Sequence, residues 1–181
     1  MPNYTDFKKT FCDCCKTKKD GNCRLGLQHD RSIADNANFI DWEAVVNNKD
    51  FPEHDYSRCD SVYVRDNITF FIEQKNIEWF RLKTKEVADE SKKLKKPEDV
   101  VNELKEKFEK SVQMFEADGN ILREKEFVLS CDLNPVSVDG RWLSIFKHDL
   151  RNKYFPSITA KGLKCGDCTE IAYDIIYNTK F

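Results

Sequence analysis

No run of about 18 apolar residues occurs in the chain, which excludes a helical segment long enough to cross a bilayer. Residues 1–9 carry no apolar h-region, so no secretory signal is expected and the cytoplasm is the expected location. Charge of one sign is also missing: 30 Lys and Arg against 32 Asp and Glu leave a formal net charge of −2. That balance excludes a global electrostatic signature of nucleic-acid binding, so such binding has to come from local patches. Internal repeats, Gly/Ser linkers and low-complexity tracts are absent too. With 181 residues, 40% of them hydrophobic and 13 of them Phe, the chain reads as one compact domain over 1–181 with a real core and no membrane partner.

The most informative segment lies at residues 60–75. Asp60-Ser61-Val62-Tyr63-Val64-Arg65 and Ile68-Thr69-Phe70-Phe71-Ile72-Glu73-Gln74-Lys75 are rich in β-branched and aromatic residues and read as two strands. A two-residue turn at Asp66-Asn67 makes them a hairpin with Arg65 opposite Ile68, and counting outward puts Asp60 opposite Glu73. Directly opposed residues share a face with Cβ atoms roughly 5 Å apart, and alternation places Lys75 on that face as well. Two like charges brought this close call for a cation or a shared proton, and hard carboxylate oxygens suit Mg²⁺ or Mn²⁺. The competing reading is a hairpin that ends in a charged edge to deter strand pairing. A second Glu-X-Lys, Glu103-Leu104-Lys105, sits in an evident surface helix and reads as solvated charge.

Asp60 together with Glu73-Gln74-Lys75, reached through the apolar Phe70-Phe71-Ile72, resembles the PD-(D/E)XK nuclease superfamily. The core of that superfamily holds an acid at the start of one strand and a Glu-X-Lys on the next. Position 59 is Cys59, so the proline of the "PD" half is absent. The resemblance implies an α/β, restriction-endonuclease-like mixed central sheet flanked by helices. It also implies a divalent metal on Asp60 and Glu73, Lys75 as the catalytic charge-stabilising residue, and hydrolysis of DNA or RNA. An acid on the helix before the hairpin often assists metal binding in that family. By resemblance Glu43, or Asp41, takes that place, against the plain reading of a surface acid. The alternative functions are a catalytically inactive nuclease-like scaffold or a zinc-stabilised module that binds nucleic acid or protein. A binding role gives no reason to keep like charges face to face.

Elsewhere the pattern predicts a helix over 32–47, with Ser32 as N-cap and Ile33, Ala37, Ile40, Ala44 and Val45 at helical spacing. A second helix runs from Pro97 toward Gly119, with Val101, Leu104, Phe108, Val112 and Phe115 as its buried stripe. A strand at 126–133 follows, so strand, helix and strand suggest a crossover, right-handed if the strands are parallel. Residues 169–177 read as a closing helix, and the segment 141–154 is ambiguous. Basic residues cluster after the hairpin, notably Lys83, Lys85, Lys92 and Lys93, as nucleic-acid-binding candidates. Lys147, Arg151, Lys153, Lys161 and Lys164 form a second cluster. For any one of these lysines a solvated surface is an equal reading. Trp79 and Phe80 fit stacking on bases, or a place in the core.

Eight cysteines in a chain read as cytoplasmic are not a disulfide framework. Cys12, Cys14, Cys15 and Cys23 fall in a Cys-rich segment, 1–30, and Cys165-Gly166-Asp167-Cys168 lies near the other end. Cys12 and Cys15 share the Cys-x-x-Cys spacing, so Cys12, Cys15, Cys165 and Cys168 can close a tetrahedral zinc site. A local site of the four N-terminal cysteines is an alternative, and small buried hydrophobes are another. The nuclease resemblance adds an iron-sulfur cluster held from both ends of the fold. A cysteine nucleophile partnered by His29, His54 or His148 is a different enzyme class, and only spatial proximity would reveal it.

Overall fold

Phe70, Phe71 and Ile72 in one run, and Phe127, Val128 and Leu129 in another, are all at most 1% exposed. Neighbours along a strand point to opposite faces, so the sheet these runs form is covered on both sides. The computed structural model describes residues 2–10, 18–19, 22–23, 38–49, 57–75, 77–81, 94–131, 138–150, 152 and 175–177. Its elements are β1 (Lys8–Lys9), β2 (Lys18–Lys19), β3 (Asn22–Cys23), β4 (Phe39–Asp41), α1 (Trp42–Asn48), β5 (Ser61–Arg65) and β6 (Ile68–Lys75). They continue with α2 (Ile77–Phe80), α3 (Pro97–Ala117), β7 (Glu124–Cys131) and α4 (Gly140–Asp149).

The class is α/β. Among the described residues five strands make one mixed sheet in the order β1-β4-β5-β6-β7, and β2 pairs with β3 in a separate two-stranded sheet. Every neighbouring pair in the large sheet is antiparallel except β6 with β7. The hairpin has the expected register, from Arg65↔Ile68 to Ser61↔Ile72. Its turn places Asp66 at φ 53°, in the left-handed region that Asp tolerates better than most residues. A parallel neighbour has to be reached by a crossover, and α3 lies in that connection.

Helix α3 starts where the sequence signals it, with Pro97 in its first turn and the Asp99 carboxylate accepting from the Lys96 amide at 3.3 Å. It ends just before Gly119, whose φ of 84° suits glycine. Its apolar stripe packs on the sheet through aromatic edges. Phe108 and Phe115 each lie 5.6 Å from Phe71, and Phe108 lies 5.5 Å from Phe127. Trp142, Leu143 and Phe146 of α4 complete the same core. On the other face Tyr63 packs against Phe39 at 4.7 Å and Phe70 at 6.5 Å.

One expected element is corrected. The helix predicted over 32–47 begins only at Trp42, and Phe39–Asp41 is a strand between β1 and β5. Asp41 is the reason: its carboxylate accepts from the Ala44 amide at 3.0 Å as an N-cap, which stops the helix there. Phe39 and Ile40 are then buried in the sheet, which outweighs the helical spacing that Ile40 shares with Ala44. Ser32 lies outside the described residues. Within the ambiguous segment 141–154, residues 141–149 are helical as part of α4, capped by Asp139, which accepts from the Trp142 amide at 2.9 Å. Within the region read as a closing helix, residues 175–177 are described and are helical.

Candidate active site

Asp60 sits one residue before β5, and continuing the ladder beyond Ser61↔Ile72 sets it across from Glu73. Its backbone carbonyl accepts from the Trp42 amide at 3.2 Å, while its Oδ2 accepts from the Gln74 amide at 2.7 Å. The acid is thereby stitched to the backbone of the opposing strand. Glu73 is fully buried. Its Oε1 lies 2.6 Å from Lys75 Nζ, and Lys75 Nζ lies 3.8 Å from Asp60 Oδ2. One ammonium therefore touches both carboxylates, and Asp60, Glu73 and Lys75 converge on the face that α3 covers.

Sequence reasoning missed a fourth member. Lys107 of α3 brings its Nζ to 2.9 Å from Glu73 Oε1 and donates to the Arg58 carbonyl at 3.0 Å. The signal was there: Lys107 falls between Leu104 and Ser111 on the buried stripe, where an apolar residue is the rule.

Charge at the site follows from burial. Desolvation, then the nearby Glu73 carboxylate, pushes Asp60 up to about 7, against the opposing pull of Lys75, the Gln74 amide and Lys107. Burial draws Lys75 down, but the carboxylates of Glu73 and Asp60 outweigh it and hold the ammonium protonated above the ordinary lysine range. Cys59 is fully buried, and desolvation followed by the Glu73 charge keeps it a thiol.

The Asp60 shift has a definite sign in stability. An unfolded aspartate titrates near 4, so between about pH 4 and 7 the folded protein holds a proton that the unfolded chain has lost. Stability contributed by protonated Asp60 is therefore complete below that window and is lost as pH rises through it. Urea unfolding of the wild type and Asp60→Asn across pH 4–8 should show a decline in the wild type that the variant largely lacks. Parallel profiles would mean that Asp60 ionises normally.

Glu43 is 36% exposed at its side chain and pairs with Arg58 at 3.6 Å. Asp41 caps α1 and pairs with Lys9. Among the described residues no three His, Cys, Asp or Glu side chains gather as a metal-holding group, so neither acid joins Asp60 and Glu73 in one. His148 lies exposed on α4 beside Asp149 and Asn152. Cys12, Cys15, Cys165, Cys168, His29, His54, Lys83, Lys85, Lys92 and Lys93 lie outside the described residues. Lys95, which follows Lys92 and Lys93 in sequence, pairs with Glu103 at 2.7 Å and sits 4.8 Å over the Phe80 ring. Among the described residues no helix is long and apolar enough to span a membrane.

Magnesium is typically held by one or two carboxylates, with water and substrate phosphates completing its shell. Asp60 and Glu73 offer such a pair, and both carboxylate oxygens of Glu73 are buried with no hydrogen-bond partner. The donor set fits the ion that the resemblance implies. In comparisons with known proteins, the chain matches no family, no curated protein and no solved structure.

Proposed function

We propose that the protein is a metal-dependent nuclease of the PD-(D/E)XK type, with a restriction-endonuclease-like sheet, that hydrolyses phosphodiester bonds in DNA or RNA. The observation that carries the reading is the single ammonium of Lys75 in contact with both Asp60 and Glu73. In this reading Asp60 and Glu73 hold Mg²⁺ or Mn²⁺. When bound, the ion would polarise the phosphodiester and lower the pKa of a water. The Gln74 amide keeps Asp60 aimed across the hairpin. Lys75, protonated and only 18% exposed at its side chain, supplies positive charge where negative charge develops on the phosphate. Its low-dielectric setting strengthens that interaction.

A second reading, an inactive nuclease-like scaffold, is favoured by one observation: Glu73 is fully buried and its Oε1 is already shared by two ammonium groups. Metal-dependent cleavage separates the two. Supercoiled plasmid, single-stranded DNA and RNA should each be incubated with Mg²⁺ or Mn²⁺, with and without EDTA. The nuclease reading expects cleavage of at least one substrate that EDTA stops. No cleavage of any, or cleavage that survives EDTA, contradicts it.

A further inference from the structure

Helix α3 does more than cover the sheet. Its inward stripe is apolar through Val100, Leu104, Phe108, Val112 and Phe115, but it is interrupted by Ser111 and, at its margin, by Lys107, one turn apart. Both grip the strand entry that carries Asp60. Ser111 Oγ accepts from the Cys59 amide at 2.7 Å, and Lys107 Nζ donates to the Arg58 carbonyl at 3.0 Å. The same ammonium reaches across to Glu73 Oε1 at 2.9 Å.

A lysine side chain only 19% exposed is an unfavourable choice for stability where a Leu or Met would pack, because desolvating its charge offsets much of the ion pair. Its placement makes sense through what it orients. Lys75 lies two residues from Glu73 on the same strand and moves with it, whereas Lys107 reaches in from a separate helix of 21 residues and acts as an outside reference. The ion pairs of Lys75 and Lys107 both fall on Oε1, and Oε2 is buried beside it; neither Glu73 oxygen has a hydrogen-bond partner.

We infer that Lys107 is a positioning residue for the acid pair: it fixes Glu73 through Oε1, leaves Oε2 available to a divalent cation, and anchors the approach to Asp60 through the Arg58 carbonyl. The inference rests on the nuclease reading of the site. It predicts a sign opposite to that of a simple counter-ion. Removing a mere counter-ion takes away a repelling charge and tightens cation binding, whereas removing a positioning group weakens it.

The test is Mn²⁺ binding to the full chain, followed by electron paramagnetic resonance, with cleavage kinetics alongside. Partners of this kind, acting through a ligand, typically contribute about 10- to 100-fold in metal affinity or activity. Lys107→Met should weaken Mn²⁺ binding by about that factor and lower kcat, with KM for nucleic acid unchanged. Lys107→Arg, which keeps both charge and donors, should recover most of the loss. Lys105→Met, on the exposed face beside Glu109, should behave as wild type. If Lys107→Met does not fold, Lys107→Gln carries the comparison, with weaker Mn²⁺ binding expected there too. Mn²⁺ binding equal to or tighter than wild type in the folded Lys107 variant overturns the inference while the nuclease reading stands. A wild type that binds no Mn²⁺ overturns both.

Discussion

Lys75→Ala should lower kcat for metal-dependent cleavage by roughly 10²–10³-fold, the usual effect of removing one group that stabilises developing charge. The affinity for nucleic acid should change little, because phosphate contacts spread over many residues dominate binding. The fold should survive, since Glu73 keeps Lys107 as a partner at 2.9 Å and Lys75 is the last residue of its strand. Stability is the control. Urea unfolding should show the variant still cooperatively folded, so that the kinetic loss is chemical. Cleavage at the wild-type rate would assign the activity to another site or to a contaminant.

Glu73→Gln should have the larger combined effect. The substitution keeps the shape but removes the charge that both Lys75 and Lys107 face, at 2.6 and 2.9 Å. Breaking a buried pair by deleting one partner typically destabilises by about 3–5 kcal/mol. Two effects reduce that figure here. The lysine side chains are 18% and 19% exposed and can turn outward, and Asp60, relieved of the neighbouring carboxylate, ionises more readily to pair with Lys75. A loss on the order of 3 kcal/mol is therefore expected, read as a lower urea midpoint. Cleavage should fall below that of Lys75→Ala, because a metal-holding oxygen is lost rather than one stabilising charge. Unchanged stability would show that the two ammonium groups do not depend on Glu73.

The hairpin was legible because all the information is local. Two β-rich runs and a two-residue Asp66-Asn67 turn fix the register, and register fixes which side chains share a face. Helix α3 was legible for the same reason, through Pro97, its acidic first turn and the spacing of its apolar stripe. Strand β4 was not, because Ile40, Ala44 and Val45 satisfy a helical period and the decisive residue, Asp41, reads equally as interior or cap until its partner amide is known. Lys107 was hidden for a different reason. Its meeting with Glu73 depends on a crossover spanning more than thirty residues, which hydrophobic period alone does not place. The charge on an otherwise apolar stripe was its one local trace.

Crystals soaked in Mn²⁺ and measured at the manganese absorption edge test the central claim most directly. The account predicts an anomalous peak coordinated by Asp60 and Glu73, with Lys75 beside it, and no such peak in Asp60→Asn crystals. Manganese bound elsewhere, or no peak between the two carboxylates at a Mn²⁺ concentration that supports cleavage, would contradict it.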